Sequence, residues 1–431
     1  MTGIFADGFS DRPYWWDITP PRDIAPGPPP ETCDVVVIGS GYTGLHAAIT
    51  AARGGRSVTV LDAGVPGQGC STRNGGQVSQ SIKPGLAALA RRYGIQTARA
   101  ILADGFASRA YVEDFIRAEG IDCGFATVGR FHAAHSPRAF EAMAAAARAQ
   151  PEGFEQPARV VNRAGQRAEI GSDRYCGGVV FGDHAALDPG RYHAGLLDLA
   201  TAAGVRIVPQ TAATALDEDE TGVTVTTTRG RISARDAVLA TNGYSGALSR
   251  WHQRRVIPIG SYIIATDPVP VSLMDELIPN NRIQSDSRRV VYYWRASPDR
   301  RRILFGGRVS AGETDPRRAA RRLRAEMLRI FPQLEPTPIS HGWMGFVGYT
   351  FDTLAHTGSR DRVHHAMGYC GSGVGMASYL GMKAGLAVLG RQDAGTGLGA
   401  RPFPTRPLYR GRPWFLPAAV EWHRLLDRLG L

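Results

Sequence analysis

The sequence predicts an α/β fold made of two interleaved domains, and three observations support this prediction. The chain has 431 residues, which is more than a single hydrophobic core ordinarily organises. Near the start, an apolar run, a glycine-rich turn and a helical pattern lead into a second apolar run, as in a βαβ unit. Farther along, strand-like and helical stretches mix without any internal repeat. A domain with a parallel sheet, interrupted by a domain with a mixed sheet, accounts for all three.

Residues 1–30 form an arm that is rich in proline and aromatic side chains, including the run YWW at 14–16. Such a composition favours an extended segment over a folded domain. Because YWW is too apolar to lie in water, we expect the arm to pack against the rest of the protein.

The βαβ unit begins directly after the arm. The run CDVVVIG (33–39) is short, apolar and β-branched, which is typical of a strand buried on both faces. TGLHAAITAARGG (43–55) has a helical pattern and ends at glycines, and SVTVLDAG (57–64) predicts a second strand.

The turn between the first strand and the helix has the spacing of a dinucleotide-binding motif. GSGYTG places Gly39, Gly41 and Gly44 as GxGxxG, and Asp62 ends the second strand. The glycines allow a pyrophosphate to approach the helix N-terminus, and the Asp62 carboxylate is suited to ribose hydroxyls.

The rest of the chain contains both helical and strand-like patterns. Residues 86–120 and 188–204 have helical patterns, and residues 364–390 read as strand, glycine turn and helix. Strand-like runs occupy 205–217, 222–234, 235–246, 256–266, 288–297 and 301–309.

The formal net charge is +11, and a basic surface is one sign of nucleic-acid binding. Nearly all of this charge is arginine, because lysine occurs only at Lys83 and Lys383. The densest basic run, 316–332, also fits an amphipathic helix whose arginines face water. We therefore expect no nucleic-acid partner, with an acidic substrate or an RNA kept as alternatives.

Composition excludes other classes of protein. The five cysteines are scattered and form no CxxC pair, so we expect reduced thiols and no metal site. No apolar run is long enough for a membrane span, and the N-terminus lacks a secretion signal. We expect a cytoplasmic protein.

A second glycine-rich stretch, GCSTRNGGQ (69–77), follows the second strand and contains no large apolar side chain. A nicotinamide enzyme usually completes its dinucleotide fold with further βα units at this point. With the other motifs, the stretch resembles the amine-oxidising flavoproteins of the D-amino-acid oxidase superfamily, in particular gamma-glutamylputrescine oxidase-like members. The resemblance covers nearly the whole chain, in PYWWD (13–17), DVVVIGSGYTGLHAA (34–48), CSTRNGGQ (70–77), AVLATNGYSG (237–246), GWMGFVGYTFDTLAHTG (342–358) and GYCGSGVGMASYLG (368–381).

The resemblance implies a Rossmann-like FAD-binding domain of the GR2 type, interleaved with a mixed-sheet substrate domain. The implied FAD-binding domain comprises 31–88, 188–250 and 341–395. The implied substrate domain comprises 89–187 and 251–340, and a C-terminal tail covers 396–431.

The resemblance also divides the contacts with FAD among these motifs. GSGYTG and Asp62 hold the adenosine diphosphate half, 71–77 run past the pyrophosphate towards the isoalloxazine, and GSGVG (371–375) opens a helix whose dipole faces the flavin. The implied cofactor-binding residues are Gly39, Gly41, Gly44, Asp62, Ser71, Thr72, Arg73, Asn74, Gly75, Gly76, Gln77, Ala213, Thr241, Gly243, Gly371, Ser372, Gly373 and Val374.

Three departures from the family pattern refine these expectations. STRNGGQ lacks the histidine, and Val347 replaces the cysteine, through which covalent members attach flavin, so we expect non-covalent FAD. Gly375 replaces the lysine that pins a substrate carboxylate in sarcosine oxidases, which disfavours a simple α-amino acid. The lysine that some members use for oxygen reduction is replaced near Leu304. Either Lys83 takes that role, or oxygen is not the acceptor.

The implied reaction moves a hydride from the carbon next to an amine nitrogen to FAD. The imine then hydrolyses to an aldehyde, and dioxygen is reduced to hydrogen peroxide. The residues implied to act on the substrate are Tyr349, Lys83 and Arg308, with Arg308 a candidate for a substrate carboxylate such as a γ-glutamyl group. Further aromatic candidates for the pocket, each more often a core residue, are Tyr262, Tyr292, Trp294 and Trp343.

Two alternative functions stay open at this point. One is a flavin amine dehydrogenase that passes electrons to a quinone or a protein. The other is an RNA-modifying flavoprotein or a binding module. The exact amine and the oligomeric state are not determined by the sequence.

Overall fold

The computed structural model describes residues 3–308, 312–399 and 401–430. The helices are α1 (Tyr42–Arg53), α2 (Leu86–Tyr93), α3 (Ile95–Ala118), α4 (Pro137–Arg148), α5 (Pro189–Ala202), α6 (Arg250–Gln253), α7 (Val271–Leu277), α8 (Pro316–Ile330), α9 (Gly373–Val388) and α10 (Leu416–Arg428). The strands are β1 (Phe5–Ser10), β2 (Thr32–Ile38), β3 (Val58–Leu61), β4 (Gln77–Val78), β5 (Arg130–Ala133), β6 (Ala158–Val161), β7 (Gly178–Phe181), β8 (Ala185–Ala186), β9 (Arg206–Val208), β10 (Ala213–Glu218), β11 (Val223–Thr227), β12 (Gly230–Leu239), β13 (Ile257–Thr266), β14 (Ile283–Asp286), β15 (Tyr292–Ala296), β16 (Ile303–Gly307), β17 (Ile339–Tyr349), β18 (His356–Arg360) and β19 (Val363–Met367).

The first sheet has the order β10-β11-β12-β2-β3-β9, with β19 beside the end of β12 and β18 beside β19. Its centre is parallel, because β12, β2, β3 and β9 pair in one direction. Val35 and Val37 of β2 pack into the core that contains α1, whereas Val36 and Ile38 pack into a core on the other face. The predicted burial of this strand on both faces is therefore confirmed.

The second sheet contains nine strands within the described ranges, in the order β1-β17-β13-β16-β15-β14-β5-β7-β6. It is mixed, since β14 pairs with β5 in parallel while most other pairs are antiparallel. Helix α8 covers one face through its apolar stripe, in which Leu323 and Met327 are fully buried. A sheet with a parallel centre, combined with a second mixed sheet, confirms the predicted fold class.

The N-terminal arm packs on the body as expected. Trp15 has no solvent-exposed area and lies with Tyr14 against β13, β16 and β17. The arm also supplies β1, which pairs in parallel with β17, so part of the extended arm joins the second sheet.

Two other elements differ from expectation. The helical region 86–120 is divided into α2 and α3 at Gly94. The predicted tail contains α10, whose residues Leu416, Ala419, Val420 and His423 help to line the cavity described below. No described helix combines the length and the apolar character that crossing a membrane requires. The domain boundaries given above stay predictions.

Candidate active site

A cavity of about 1510 Å³ is lined by residues from both sheets. Pockets for single drug-sized ligands usually measure roughly 300–1,000 Å³, so this cavity has room for a large cofactor and a substrate together. Seventeen of the residues predicted from the sequence line it: Gly39, Gly41, Asp62, Ser71, Arg73, Asn74, Gly75, Gln77, Lys83, Ala213, Thr241, Arg308, Tyr349, Gly371, Ser372, Gly373 and Val374.

The turn between β2 and α1 brings backbone close to backbone. Gly39 has φ +107°, which disfavours other residue types, and a Cβ there would lie 3.0 Å from the carbonyl oxygen of Ala240. A Cβ on Gly41 would lie 2.8 Å from the Ser71 hydroxyl. That hydroxyl accepts the Tyr42 N–H at 3.0 Å, so Ser71 joins the first glycine turn to the second.

The Asp62 carboxylate holds the same turn in place. Oδ2 accepts the backbone N–H of Ser40 at 2.9 Å and its hydroxyl at 2.6 Å, while Oδ1 accepts the Gly64 N–H at 2.9 Å. The side chain is half-buried and lines the cavity, so a face of the carboxylate stays available to a ribose.

Asn74 organises the second glycine stretch from within. Its amide nitrogen donates to the carbonyl oxygens of Ser71 at 2.8 Å and Cys70 at 3.2 Å. Its side-chain oxygen accepts the Gly76 N–H at 2.8 Å. One amide therefore closes the loop that follows the short 3-10 turn Cys70–Thr72.

Tryptophan indoles hold this stretch from outside. Their N–H groups reach its backbone and one hydroxyl: Trp15 donates to the Asn74 carbonyl at 2.9 Å, Trp16 to the Thr72 hydroxyl at 2.8 Å, and Trp343 to the Arg73 carbonyl at 3.0 Å. The buried guanidinium of Arg295 donates to the carbonyl oxygens of Gly76 at 3.1 Å and Leu187 at 2.8 Å. The arm and β15 thus fix the shape of the loop.

Four of the predicted cofactor-binding residues lie outside the lining: Gly44, Thr72, Gly76 and Gly243. Packing explains the positions of Gly44 and Gly76. A Cβ on Gly44 would lie 1.8 Å from the Gly39 carbonyl oxygen, so Gly44 permits the contact between helix and strand. Gly76 has φ +65°, and a Cβ there would lie 2.1 Å from the Leu187 carbonyl oxygen.

The N-terminus of α9 opens onto the cavity. Gly371, Ser372, Gly373 and Val374 line it, and no side chain caps the first turn of the helix. A Cβ on Gly373 would meet nothing within 4 Å, which leaves open space over the first turn. Uncapped N–H groups at a helix start attract negative charge, as a flavin pyrimidine edge provides.

Lys83 and Tyr349 meet beside this helix start. The Lys83 Nζ donates to the Tyr349 hydroxyl at 2.6 Å and lies 4.3 Å from the centre of its ring. A Cβ on Gly371 would be 3.9 Å from the Tyr349 hydroxyl and 4.0 Å from the Lys83 Nζ. The positive charge of Lys83 and the helix dipole therefore act on the same end of the cavity.

Arg308 lies in the cavity wall and is buried, not a surface residue. Its Nη1 donates to the Gly260 carbonyl oxygen at 2.7 Å. Both terminal nitrogens approach the Glu313 carboxylate at 3.3 Å. A carboxylate of this chain therefore already neutralises the guanidinium.

Sequence reasoning missed several cavity residues and proposed others that lie in the core. Tyr292, Trp294, Tyr262 and Trp343 pack in the interior, whereas Tyr293 lines the cavity. The period of two along β15 was the available signal, since it places Tyr293 opposite its two neighbours. Other cavity residues without a motif in the sequence are Arg130, His132, Phe181, His184 and Ser285.

The donor set fits FAD. Six arginine and lysine side chains and two carboxylates line the cavity, an excess of positive charge that suits a pyrophosphate. A Cβ on Gly69 or Gly373 would meet nothing within 4 Å, so these backbones leave space that a flat ring or a phosphate can fill. Burial raises the pKa of the Cys70 thiol in the same wall to about 11, although Arg73 opposes the shift, so this cysteine stays protonated at neutral pH.

A family model described as DAO, FAD dependent oxidoreductase, matches residues 34–384. The gamma-glutamylputrescine oxidoreductase of Escherichia coli (strain K12) is 30% identical over 409 residues, which are 93% of this chain and 94% of that protein. The probable oxidoreductase OrdL of Rhizobium meliloti (strain 1021) is 31% identical over 421 residues, which are 96% and 97% of the two chains. The predicted family and its cofactor, FAD, are confirmed.

Solved structures agree on the fold. A glycine oxidase from Geobacillus kaustophilus superposes with a TM-score of 0.72 at 18% identity, covering 88% of this chain and 99% of that one. An L-proline dehydrogenase from P. horikoshii superposes with a TM-score of 0.69 at 17% identity, covering 91% and 99%.

Proposed function

The chain belongs to the family of FAD-dependent oxidoreductases, and we propose that it oxidises a C–N bond of an amine with dioxygen as the acceptor. When bound, FAD accepts a hydride from the carbon next to the nitrogen. The nitrogen lone pair forms the C=N bond as the hydride leaves. Water then hydrolyses the imine to an aldehyde and a smaller amine or ammonia. Dioxygen takes up two electrons and two protons to give hydrogen peroxide.

The observation that carries the proposal is the placement of Lys83 and Tyr349 beside the start of α9. An amine must be neutral before it can release a hydride, because its lone pair forms the new bond. A nearby ammonium and a helix N-terminus both disfavour a protonated amine. The same positive field stabilises negative charge that develops when electrons pass to dioxygen.

For the substrate, we propose a γ-glutamylated amine, or another primary or secondary amine. Similarity over 93% of the chain to a protein named gamma-glutamylputrescine oxidoreductase supports this choice. Residue 375 is glycine, and a Cβ at this position would lie 3.3 Å from the Ser108 carbonyl oxygen. The helix therefore offers no lysine there to pin the carboxylate of a simple α-amino acid.

The test mixes the FAD-loaded enzyme, without air, with γ-glutamylputrescine, putrescine, sarcosine or glycine. We expect γ-glutamylputrescine to remove the visible flavin absorbance fastest, and air to restore it with formation of peroxide. No loss of absorbance with any of these amines would refute the proposal.

The two lysines of the chain supply a matched pair of variants. Lys83→Met should slow the recovery in air by at least about tenfold, as expected when a group that stabilises developing charge is removed. Lys383→Met is the control, since Lys383 donates to the Asp393 carbonyl and does not line the cavity. It should recover at the wild-type rate.

A dehydrogenase that passes electrons to a quinone or a protein is the second candidate. The family resemblance places the lysine that reduces oxygen near Leu304, and Leu304 is an apolar residue only 2% exposed within the second sheet. The absence of a positive charge at this position favours an acceptor other than dioxygen. In that case the amine removes the flavin absorbance, air fails to restore it, and a soluble quinone does.

A further inference from the structure

Three basic residues that have no part in the proposed chemistry share one region of the cavity. Arg130 and His132 alternate with the core residue Phe131 on β5, so both point to the same face of the sheet. His184 directly precedes β8, and its carbonyl accepts the Gly129 N–H at 2.8 Å. All three basic residues line the cavity.

The Arg130 guanidinium lacks a countercharge. Its one hydrogen bond to a described residue is to the Gln77 side-chain oxygen, at 3.2 Å. Across 3–308, 312–399 and 401–430, no carboxylate lies within ion-pair distance of it, and its Nε is buried without a partner. Burial lowers the pKa of Arg130 only to about 10, so the group remains charged. A desolvated cation held by one neutral acceptor favours an anion.

His184 is the second unsatisfied group. It is 1% exposed, and neither ring nitrogen has a hydrogen-bond partner among the described residues. Its ring stacks on Phe181 with centroids 5.4 Å apart. A buried polar group without a partner is costly, and it marks a place where a ligand or a water completes the structure.

His132 completes the cluster. Its Nδ1 lies 2.9 Å from the Ser285 hydroxyl, which also lines the cavity. Burial, with the charge of Arg130, lowers the pKa of His132 to about 4, and burial lowers that of His184 further below its usual range. Both rings are therefore neutral near pH 7, and each can offer an N–H. A metal cation is disfavoured, because Arg130 repels it and no described group of three or more ligating residues exists.

We propose that Arg130, His132 and His184 form a subsite that binds a carboxylate of the substrate. The inference rests on the proposed function, because it makes the substrate an amine that also carries a carboxylate. Two other arginines of the cavity are less suited because each already has a carboxylate partner: Arg308 is paired with Glu313, and Arg288 with Asp286 at 2.8 Å. The carboxylate role considered for Arg308 thus passes to Arg130.

The test measures binding of glutarate to the FAD-loaded enzyme by calorimetry. Glutarate should bind, and its uncharged analogue glutaramide should bind at least tenfold more weakly. Arg130→Met should weaken glutarate binding at least about thirtyfold, because a charge-assisted contact to a desolvated group is lost. Lys383→Met, which removes a positive charge outside the cavity, is the control and should change it less than threefold.

Thermal unfolding separates a binding role from a structural one. Arg130→Met should keep or raise the melting temperature of the ligand-free protein, because it removes a buried charge that lacks a partner. Arg130→Lys retains the charge without the planar fork and should bind glutarate with intermediate affinity. Wild-type affinity in Arg130→Met, or equal binding of glutarate and glutaramide, would overturn the subsite.

This measurement needs no turnover, so the two proposals can fail separately. Glutarate binding that depends on Arg130, without any amine that removes the flavin absorbance, keeps the subsite and rejects amine oxidation. Amine oxidation with KM and glutarate affinity unchanged in Arg130→Met rejects the subsite alone.

Discussion

Replacing Asn74 by aspartate tests whether one side chain sets the shape of the second glycine-rich stretch, residues 69–77. The two residues have nearly the same size and shape, so packing is preserved. The amide nitrogen that donates to the carbonyls of Ser71 and Cys70 becomes an oxygen, while the oxygen that accepts the Gly76 N–H is kept. Asn74→Asp therefore removes two hydrogen bonds and leaves the third.

The magnitude follows from these contacts. Each neutral hydrogen bond contributes about 1 kcal/mol, so two amount to about 2 kcal/mol. The new carboxylate oxygen also faces two carbonyl oxygens at 2.8 and 3.2 Å in the present geometry, and leaving these acceptors opposed adds about 1 kcal/mol. A total of about 3 kcal/mol corresponds to roughly a hundredfold change in an equilibrium constant.

Two assays together measure this loss of free energy. Urea unfolding of the FAD-free protein reports the part that destabilises the fold, and titration with FAD followed by flavin fluorescence reports the part that weakens binding. Their sum should be about 3 kcal/mol. Asn162→Asp is the matched control, because Asn162 uses its side-chain oxygen to accept the Gly165 N–H at 2.9 Å and is exposed. A summed loss below about 1 kcal/mol for Asn74→Asp would refute the role given to this amide.

Further predictions address packing, thiol chemistry and cofactor attachment. Gly44→Ala should destabilise the FAD-free protein by about 3 kcal/mol in urea unfolding, since its Cβ would lie 1.8 Å from the Gly39 carbonyl oxygen; Gly395→Ala, where a Cβ meets nothing within 4 Å, should be neutral. Cys70, whose pKa is raised to about 11, should react with iodoacetamide at pH 8 about two orders of magnitude more slowly than free cysteine, because only the thiolate is nucleophilic. Its rate should keep rising beyond pH 9, and a rate equal to that of free cysteine would contradict the burial. Heat precipitation of the enzyme should release FAD into the supernatant, because the family resemblance implies that Val347 replaces the tethering cysteine. A yellow pellet would show a covalent bond.

The parts predicted from the sequence are those in which backbone chemistry dictates residue type. Gly39 and Gly41 permit a tight turn from a strand into a helix, so their spacing, together with the flanking strand and helix and Asp62, predicted a dinucleotide-binding turn. The burial of β2 on both faces could be predicted because its apolar, β-branched run is continuous. Such signals are local, and local signals are readable in one sequence.

The residues of the proposed carboxylate subsite could not be predicted in the same way. Arg130 and His132 lie on a strand with no motif, and they reach the cavity only because β5 pairs with β7 and β14. His184 comes from a turn more than fifty residues later. Pairing between distant strands sets these positions, and no periodicity within one segment encodes it. The alternation along β15 places Tyr293 on the face opposite Tyr292 and Trp294, but which of the two faces meets the cavity depends on how the sheet packs.

The composition of GCSTRNGGQ follows from how the loop is held, more than from what its side chains touch. The Thr72 hydroxyl accepts a hydrogen bond from the arm, and the Asn74 amide donates to the carbonyl of Ser71 within the loop. Arg73 donates from Nε to the Gln68 carbonyl at 2.7 Å. A Cβ on Gly75 would lie 3.2 Å from the Tyr293 ring, so glycine is the residue that fits between backbone and ring. The side chains of Thr72, Arg73 and Asn74 therefore hold the loop in shape, and its glycine backbone lines the cavity. A loop built this way needs polar residues that satisfy one another, and this explains why the stretch contains no large apolar side chain.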